Sequence, residues 1–329
     1  NSLLRLMGGT QTTNLDWSRL EVDTTDLAAA PKSYEAYRVK LMENANGISF
    51  MKGATNTYAS HGAKERTQGD LEYIVDTDNH TANATQYVYF EALQFQNKQN
   101  AAFTAADGTK AEAGGGRTKV GNKVQNNKLT VSGGTLTQAA YGGLAENFKR
   151  DDHGNLKTTG DAEKNSLILN AGANTLNAYG AEVRTKSGSA TDNTATLNAG
   201  TVNGSLYGAS LSAAGATGSA TKNKVEIKGG SVTGSVYGSH IADGAATGNA
   251  TDSIVTVTGG TVSGDIYGGY TNGTGKATRC PPRGAVMQPT SLGACTTVRG
   301  QTPIGLRKCI ARACLRKSTT LRSAEVRRM

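Results

Sequence analysis

Apolar and polar residues alternate in short runs through the middle of the chain. In Asn223-Lys-Val-Glu-Ile-Lys-Gly-Gly230, Val225 and Ile227 lie two apart. Both therefore face one side of an extended strand, while Lys224, Glu226 and Lys228 face the other. The glycine pair ends the strand and permits a corner at positive φ. A second segment, Ser231-Val-Thr-Gly-Ser-Val-Tyr-Gly238, restarts the apolar face with Val232 and Val236.

This pattern recurs. Tyr-Gly occurs at Tyr141, Tyr179, Tyr207, Tyr237 and Tyr267, so that successive markers are offset by 38, 28, 30 and again 30. Seven positions before each tyrosine stands a glycine: Gly134, Gly172, Gly200, Gly230 and Gly260. Spacers ending in Gly-x-Ala-Thr separate the units, at Gly188–Thr191, Gly218–Thr221, Gly248–Thr251 and Gly275–Thr278. The copies from Asn193 to Gly268 are the cleanest. The first has Leu136 and Ala140 at the apolar positions, and the second has Asn174 where most others have Val.

One unit has too few apolar side chains to fold alone. Stacked on copies of itself, each strand pairs with its equivalent above and below at roughly 4.8 Å, and the apolar positions form continuous internal ladders. The expected fold is all-β: a parallel β-helix, or β-solenoid, with coils of about 30 residues. Tyr207, Tyr237 and Tyr267 then stack as an aromatic ladder, read as structural packing with a carbohydrate platform as the lesser alternative. The spacers are expected to project from one flank, where a partner could bind without disturbing the stack.

Three regions follow. Residues 1–120 are irregular but β-rich, with Tyr37–Leu41, Leu71–Val75 and Gln86–Leu93 as strands, and are read as further coils of the solenoid. A helix over Ser33–Glu43 is the competing reading of one segment. Gly108–Gly121 is read as a loop. Residues 121–278 hold the five repeats. Residues 279–329 form a basic, cysteine-containing tail that abandons the pattern in mid-repeat, so it reads as disordered or as the product of a frameshift, the latter preferred.

Charge supports this division. The net charge of +9 invites a nucleic-acid reading, but the tail carries 11 Lys/Arg and one acid. The body before it, from position 1 to position 278, carries 24 basic and 25 acidic side chains, which leaves no electrostatic footprint for DNA or RNA. Cys280, Cys295, Cys309 and Cys314 also lie in the tail. A cysteine-free body fits export through an oxidising compartment. The chain opens on Asn without a leader-like segment and reads as a fragment.

The sequence offers no catalytic constellation. His61, His80, His153 and His240 stand apart from one another and from cysteine, so no zinc site is readable. Asp76-Thr-Asp-Asn79 starts like a calcium loop but lacks its later ligands. Gly114–Gly121 has no Gly-Lys-Ser/Thr ending for a phosphate loop. A carboxylate site on a solenoid face would need acids clustered on neighbouring coils, and the repeats present Glu226 and Asp265 at non-equivalent positions. No cofactor or metal is expected.

The repeat carried by Asn223–Gly238, Asn193–Gly208 and Ser253–Gly268, with its Gly-x-Ala-Thr spacer, resembles the passenger regions of bacterial autotransporters (type V secretion) and related Gly-rich repeat adhesins. That resemblance covers about half of the chain. It implies a β-helical stalk, secreted and exposed at the bacterial cell surface, held in the outer membrane by a C-terminal barrel absent from this fragment. It implies a structural and adhesive role, binding a host glycan or protein receptor, and no enzyme. The alternative is the stalk of a hydrolase or lyase passenger whose catalytic domain lies elsewhere.

Overall fold

The computed structural model describes residues 4–7, 37–45, 64–77, 87–95, 100–146 and 159–277. Apart from the 3-10 turn Ala105–Asp107, their regular structure is all strand, and the strands from Asn100 onward wind into a parallel β-solenoid of three faces. The long-strand face stacks Asn100–Phe103, Lys128–Val131, Ser166–Leu169, Thr194–Leu197, Lys224–Ile227 and Ile254–Val257 as a six-stranded parallel sheet. The tyrosine face carries ten strands, among them Thr135–Ala145, Asn174–Val183, Leu206–Leu211, Val236–Ile241 and Ile266–Thr271. The narrow face stacks two-residue strands at Val124–Gln125, Ala162–Glu163, Ala190–Thr191, Ala220–Thr221 and Ala250–Thr251.

Alternation places the apolar positions inside as ladders. One core runs between the long-strand and tyrosine faces through Leu129, Leu167, Ala195 and Val225, and through Val131, Leu169, Leu197 and Ile227. A second core, behind the narrow face, is lined by alanines at 162, 190, 220 and 250 with Val183, Leu211 and Ile241.

Each corner has a defined chemistry. Gly134, Gly172, Gly200, Gly230 and Gly260 all adopt positive φ, between 72° and 92°, where the chain leaves the long-strand face. At the corner between the narrow and long-strand faces, five non-glycine residues take left-handed φ: Asn126, Lys164, Asp192, Lys222 and Asp252. Such a conformation costs roughly 1 kcal/mol. The next residue in each coil meets that cost, as described below.

Three expectations need correction, and one competing reading falls away. Residues 100–118 form a coil of the solenoid, in register with Lys128–Val131 and Thr135–Tyr141. The Gly108–Gly121 stretch is therefore largely strand, and Gly115 takes the place of the glycine in Tyr-Gly; a Cβ there would meet Gly142 O at 2.5 Å. The strands before residue 95 are not coils. Tyr37–Ala45, Tyr87–Gln94, Leu71–Thr77 and Lys64–Gln68 pair antiparallel, with Leu4–Met7 added parallel at one edge. The helix considered over Ser33–Glu43 is instead strand from Tyr37; its first residues lie outside the described ones. In the second repeat, Thr175 and not Asn174 fills the valine position, pairing with Val202, and the shift throws Leu176 outward to 43% exposure.

The antiparallel sheet covers a corner at one end of the solenoid. Glu72, fully buried, accepts hydrogen bonds from Thr118 Oγ1 (2.9 Å), Lys119 N (2.6 Å) and Asn122 Nδ2 (2.9 Å). Ile74 and Leu93 pack against Val120, and Lys119 Nζ reaches Glu91 at 2.7 Å. The tail from residue 279, including its cysteines, lies outside the described residues, as do His61, His80 and His153.

Candidate functional surface: the tyrosine face

On the tyrosine face the five marker tyrosines stack in one row on the outer side of the strands, Tyr141 buried and the other four half-buried. Their ring centroids lie 5.2, 4.7, 5.1 and 5.0 Å apart from Tyr141 to Tyr267, with interplanar angles of 13° or less. In-register pairing imposes this spacing, which suits offset stacking. Each inner ring thus has both faces covered by its neighbours. A sugar ring therefore has no free aromatic face to stack on from Tyr179 to Tyr237. Burial raises the phenols of Tyr179, Tyr207 and Tyr237 above the ordinary value, so they are neutral hydroxyls.

Beside the tyrosines runs a second outward row: Glu182, Ser210, His240 and Tyr270. The His240 ring lies 4.6 Å from Tyr237, 5.3 Å from Tyr207 and 5.5 Å from Tyr270, with Nδ1 at 3.2 Å from Ser210 Oγ. Burial holds this imidazole down at about 4, so it is neutral at pH 7.

The first coils carry a charge cluster that sequence reading missed. Arg184 places Nη1 at 3.0 Å from Glu146 and Nη2 at 2.9 Å from Glu182 and 2.7 Å from the Tyr141 hydroxyl; Glu112 lies 3.9 Å away. Arg117 pairs with the other Glu146 oxygen, Tyr141 donates to Glu112 at 3.2 Å, and Ser212 Oγ donates to Glu182 at 2.7 Å. The expectation of no acid cluster on neighbouring coils is thus corrected. Its signal was hidden because Glu112 and Arg117 belong to a coil without a Tyr-Gly marker. The long gap after Tyr141 also obscured the register of Glu146. Chemically, the cluster is paired but not neutral: two guanidinium groups against three carboxylates leave one negative charge, the ion pairs span three coils and Ser212 adds the fourth. Among the described residues no group of His, Cys, Asp and Glu is arranged to hold a metal ion.

Among the described residues, the spacers after Tyr179, Tyr207 and Tyr237 do not project as expected, while residues 147–158 of the spacer after Tyr141 lie outside them. Ala216 and Ala246 are buried in the second core. Thr217 N donates to Lys186 O at 2.7 Å and Thr247 N to Ala216 O at 2.9 Å, so successive spacers stack like the strands. A Cβ on Gly248 would sit 1.7 Å from Gly218 O. The spacer residues that stay exposed form a low ridge, among them Lys186, Ser187, Ala214, Thr217, Gly244, Ala245 and Thr247.

Inside the corner preceding the long-strand face lies a feature whose chemistry was also missed. Asn127, Asn165, Asn193 and Asn223 stack as a buried amide ladder, ended by Ser253. Asn193 shows the arrangement: its N and Nδ2 both donate to Asn223 Oδ1, at 2.9 and 3.0 Å, and Nδ2 also donates to Ala162 O at 3.0 Å. These bonds hold the residue after each left-handed position and offset its strain.

No protein-family model matches the chain, and no curated protein or solved structure matches it.

Proposed function

We propose that this chain is a rigid stalk segment of an exported, autotransporter-like adhesin at a bacterial cell surface, spanning distance rather than performing catalysis. The observation that carries this reading is the repetition of every wall, corner and spacer along one axis. Side chains that would build a pocket in a compact enzyme are spent on joining coil to coil. A body free of cysteine and without net basic charge up to position 278 favours export over nucleic-acid binding. Contact with a host glycan or protein receptor belongs in this reading to outward side chains of the walls, since the spacers among the described residues are tucked in. The test is surface labelling. Antibodies raised against residues 121–278 label intact bacteria carrying the gene, and brief external proteolysis removes the signal. Labelling that needs permeabilised cells overturns the proposal.

The alternative, the stalk of a hydrolase or lyase passenger, draws on the cluster of Glu112, Glu146 and Glu182. It is the weaker reading because Glu146 and Glu182 are each held by an arginine, and Arg184 is itself saturated by the pair.

A further inference from the structure

We propose that two copies of this chain associate side by side and antiparallel, through the corner between the narrow and long-strand faces, by a ladder of alternating charges. The ladder is the row of left-handed corner residues. In-register pairing stacks Lys164, Asp192, Lys222 and Asp252 one coil apart, so the charge runs plus, minus, plus, minus along the axis. All of them are exposed. Lys164 reaches Glu163 at 2.9 Å, whereas Asp192, Lys222 and Asp252 have no ion pair or side-chain hydrogen bond among the described residues. Their charges are therefore unspent within the chain. The row is interior to the solenoid: Val124–Gln125 pairs on one side of it, and Ala277 bridges to Ala250 on the other.

Charge selects the occupant and its direction. A twofold axis across the row, midway between Asp192 and Lys222, reverses the order of coils in the second copy. Lys164 then faces Asp252 of the partner subunit, and Asp192 faces Lys222 of the partner subunit, with the two reciprocal contacts. Every contact joins opposite charges. Parallel packing coil on coil sets each charge against its own kind, and so does an antiparallel register centred on a single coil. A parallel pair offset by one coil matches the charges over fewer contacts and does not close. The flanking rows agree, because their charged residues meet neutral ones: Asp161 faces Asn249 of the partner subunit, Glu163 faces Thr251 of the partner subunit, and Lys224 faces Thr194 of the partner subunit. At the rim Lys123, already paired with Glu163 at 2.7 Å, faces Lys276 of the partner subunit. Complementary charge fixes register and partner more than it adds affinity, so the dimer is weak and salt-sensitive.

Sedimentation velocity on the full chain tests this. The wild type shows a concentration-dependent monomer–dimer equilibrium, which weakens by about tenfold or more between about 0.05 M and about 0.5 M salt. Asp192→Lys and Lys222→Asp each turn half of the contacts repulsive and weaken the dimer by about the same factor. The double variant Asp192→Lys/Lys222→Asp orders the row plus, plus, minus, minus. That order is again complementary in the antiparallel register, but not in the parallel one offset by a coil, so the double variant regains the wild-type equilibrium. Asp and Lys both already occupy this left-handed position, so the exchanges suit the backbone and circular dichroism stays unchanged. A monomer at all concentrations, an equilibrium indifferent to either single exchange, or a double variant no stronger than the singles overturns the proposal.

Discussion

The ladder asparagines and His240 are the residues on which stability turns. Replacing Asn193 by alanine removes the acceptor of the backbone N–H and of one side-chain N–H of Asn165, which both donate to Asn193 Oδ1, and leaves Asn223 Oδ1 with only the backbone N–H of residue 193 as donor. Buried donors without acceptors cost about 1–3 kcal/mol each. Asn193→Ala is therefore expected to lose roughly 3 kcal/mol in urea unfolding. Asn223→Ser should lose less, because serine already serves at position 253. An equal loss in the two variants would count against the ladder as the cause. For His240 the sign follows from burial. Its folded value of about 4 lies below the unfolded value of about 6.5. Above pH 6.5 both states are neutral and its packing is fully felt. As pH falls from 6.5 towards 4 the unfolded chain takes up a proton that the folded chain refuses, and stability drops by roughly 3 kcal/mol at most. His240→Ser, which reproduces Ser210 of the coil below, should flatten the pH dependence over that window. A wild-type profile unchanged by the substitution would remove His240 as its source.

At the scale of the element, the spacers separate what pattern can show from what packing decides. The Gly-x-Ala-Thr signature is plain in the sequence, yet nothing local distinguishes a glycine in a free loop from one pressed against the next coil. The structure makes that distinction between Gly244 and Gly248. A Cβ on Gly244 meets nothing within 4 Å, whereas one on Gly248 falls on Gly218 O. Gly244→Ala should leave the thermal midpoint within experimental scatter, or raise it slightly by restricting the unfolded chain. Gly248→Ala must push neighbouring coils apart and should cost several kcal/mol, in the range of overpacked or strained sites. Similar effects in both variants would contradict the stacked-spacer corner. The Asn174 reading failed for a related reason. A one-residue shift leaves the count of apolar residues unchanged, and only the pairing of Thr175 with Val202 reveals it.

Over the whole molecule, stability is quasi-one-dimensional: each coil touches its neighbours and little else. Removal of an entire coil in register should then be tolerated. Deleting Asn193–Lys222, one full coil, joins Asp192 to Asn223 and sets Tyr179 beneath Tyr237. The product should fold with the same circular dichroism spectrum and a modestly lower urea midpoint. Deleting one residue fewer turns the strand over, because side chains alternate with a period of two, and should yield an unfolded or aggregated chain. Equal behaviour of the two deletions would rule out the in-register solenoid.

The sequence by itself determined the β class, the coil length, the inward residues of the repeats and the stacking row of tyrosines. All of these follow from alternation and from a recurring offset, which are properties of neighbours along the chain. Only the tertiary structure decided the antiparallel sheet before residue 95, the unmarked coil at 100–118, the amide ladder and the Glu–Arg cluster. Each depends on which residues meet across coils, and coil-to-coil register is lost to sequence reading wherever a marker is missing or a gap is long. The spacers make the same point physically. Their fate rests on the room left by the coil below, and no single coil carries that information.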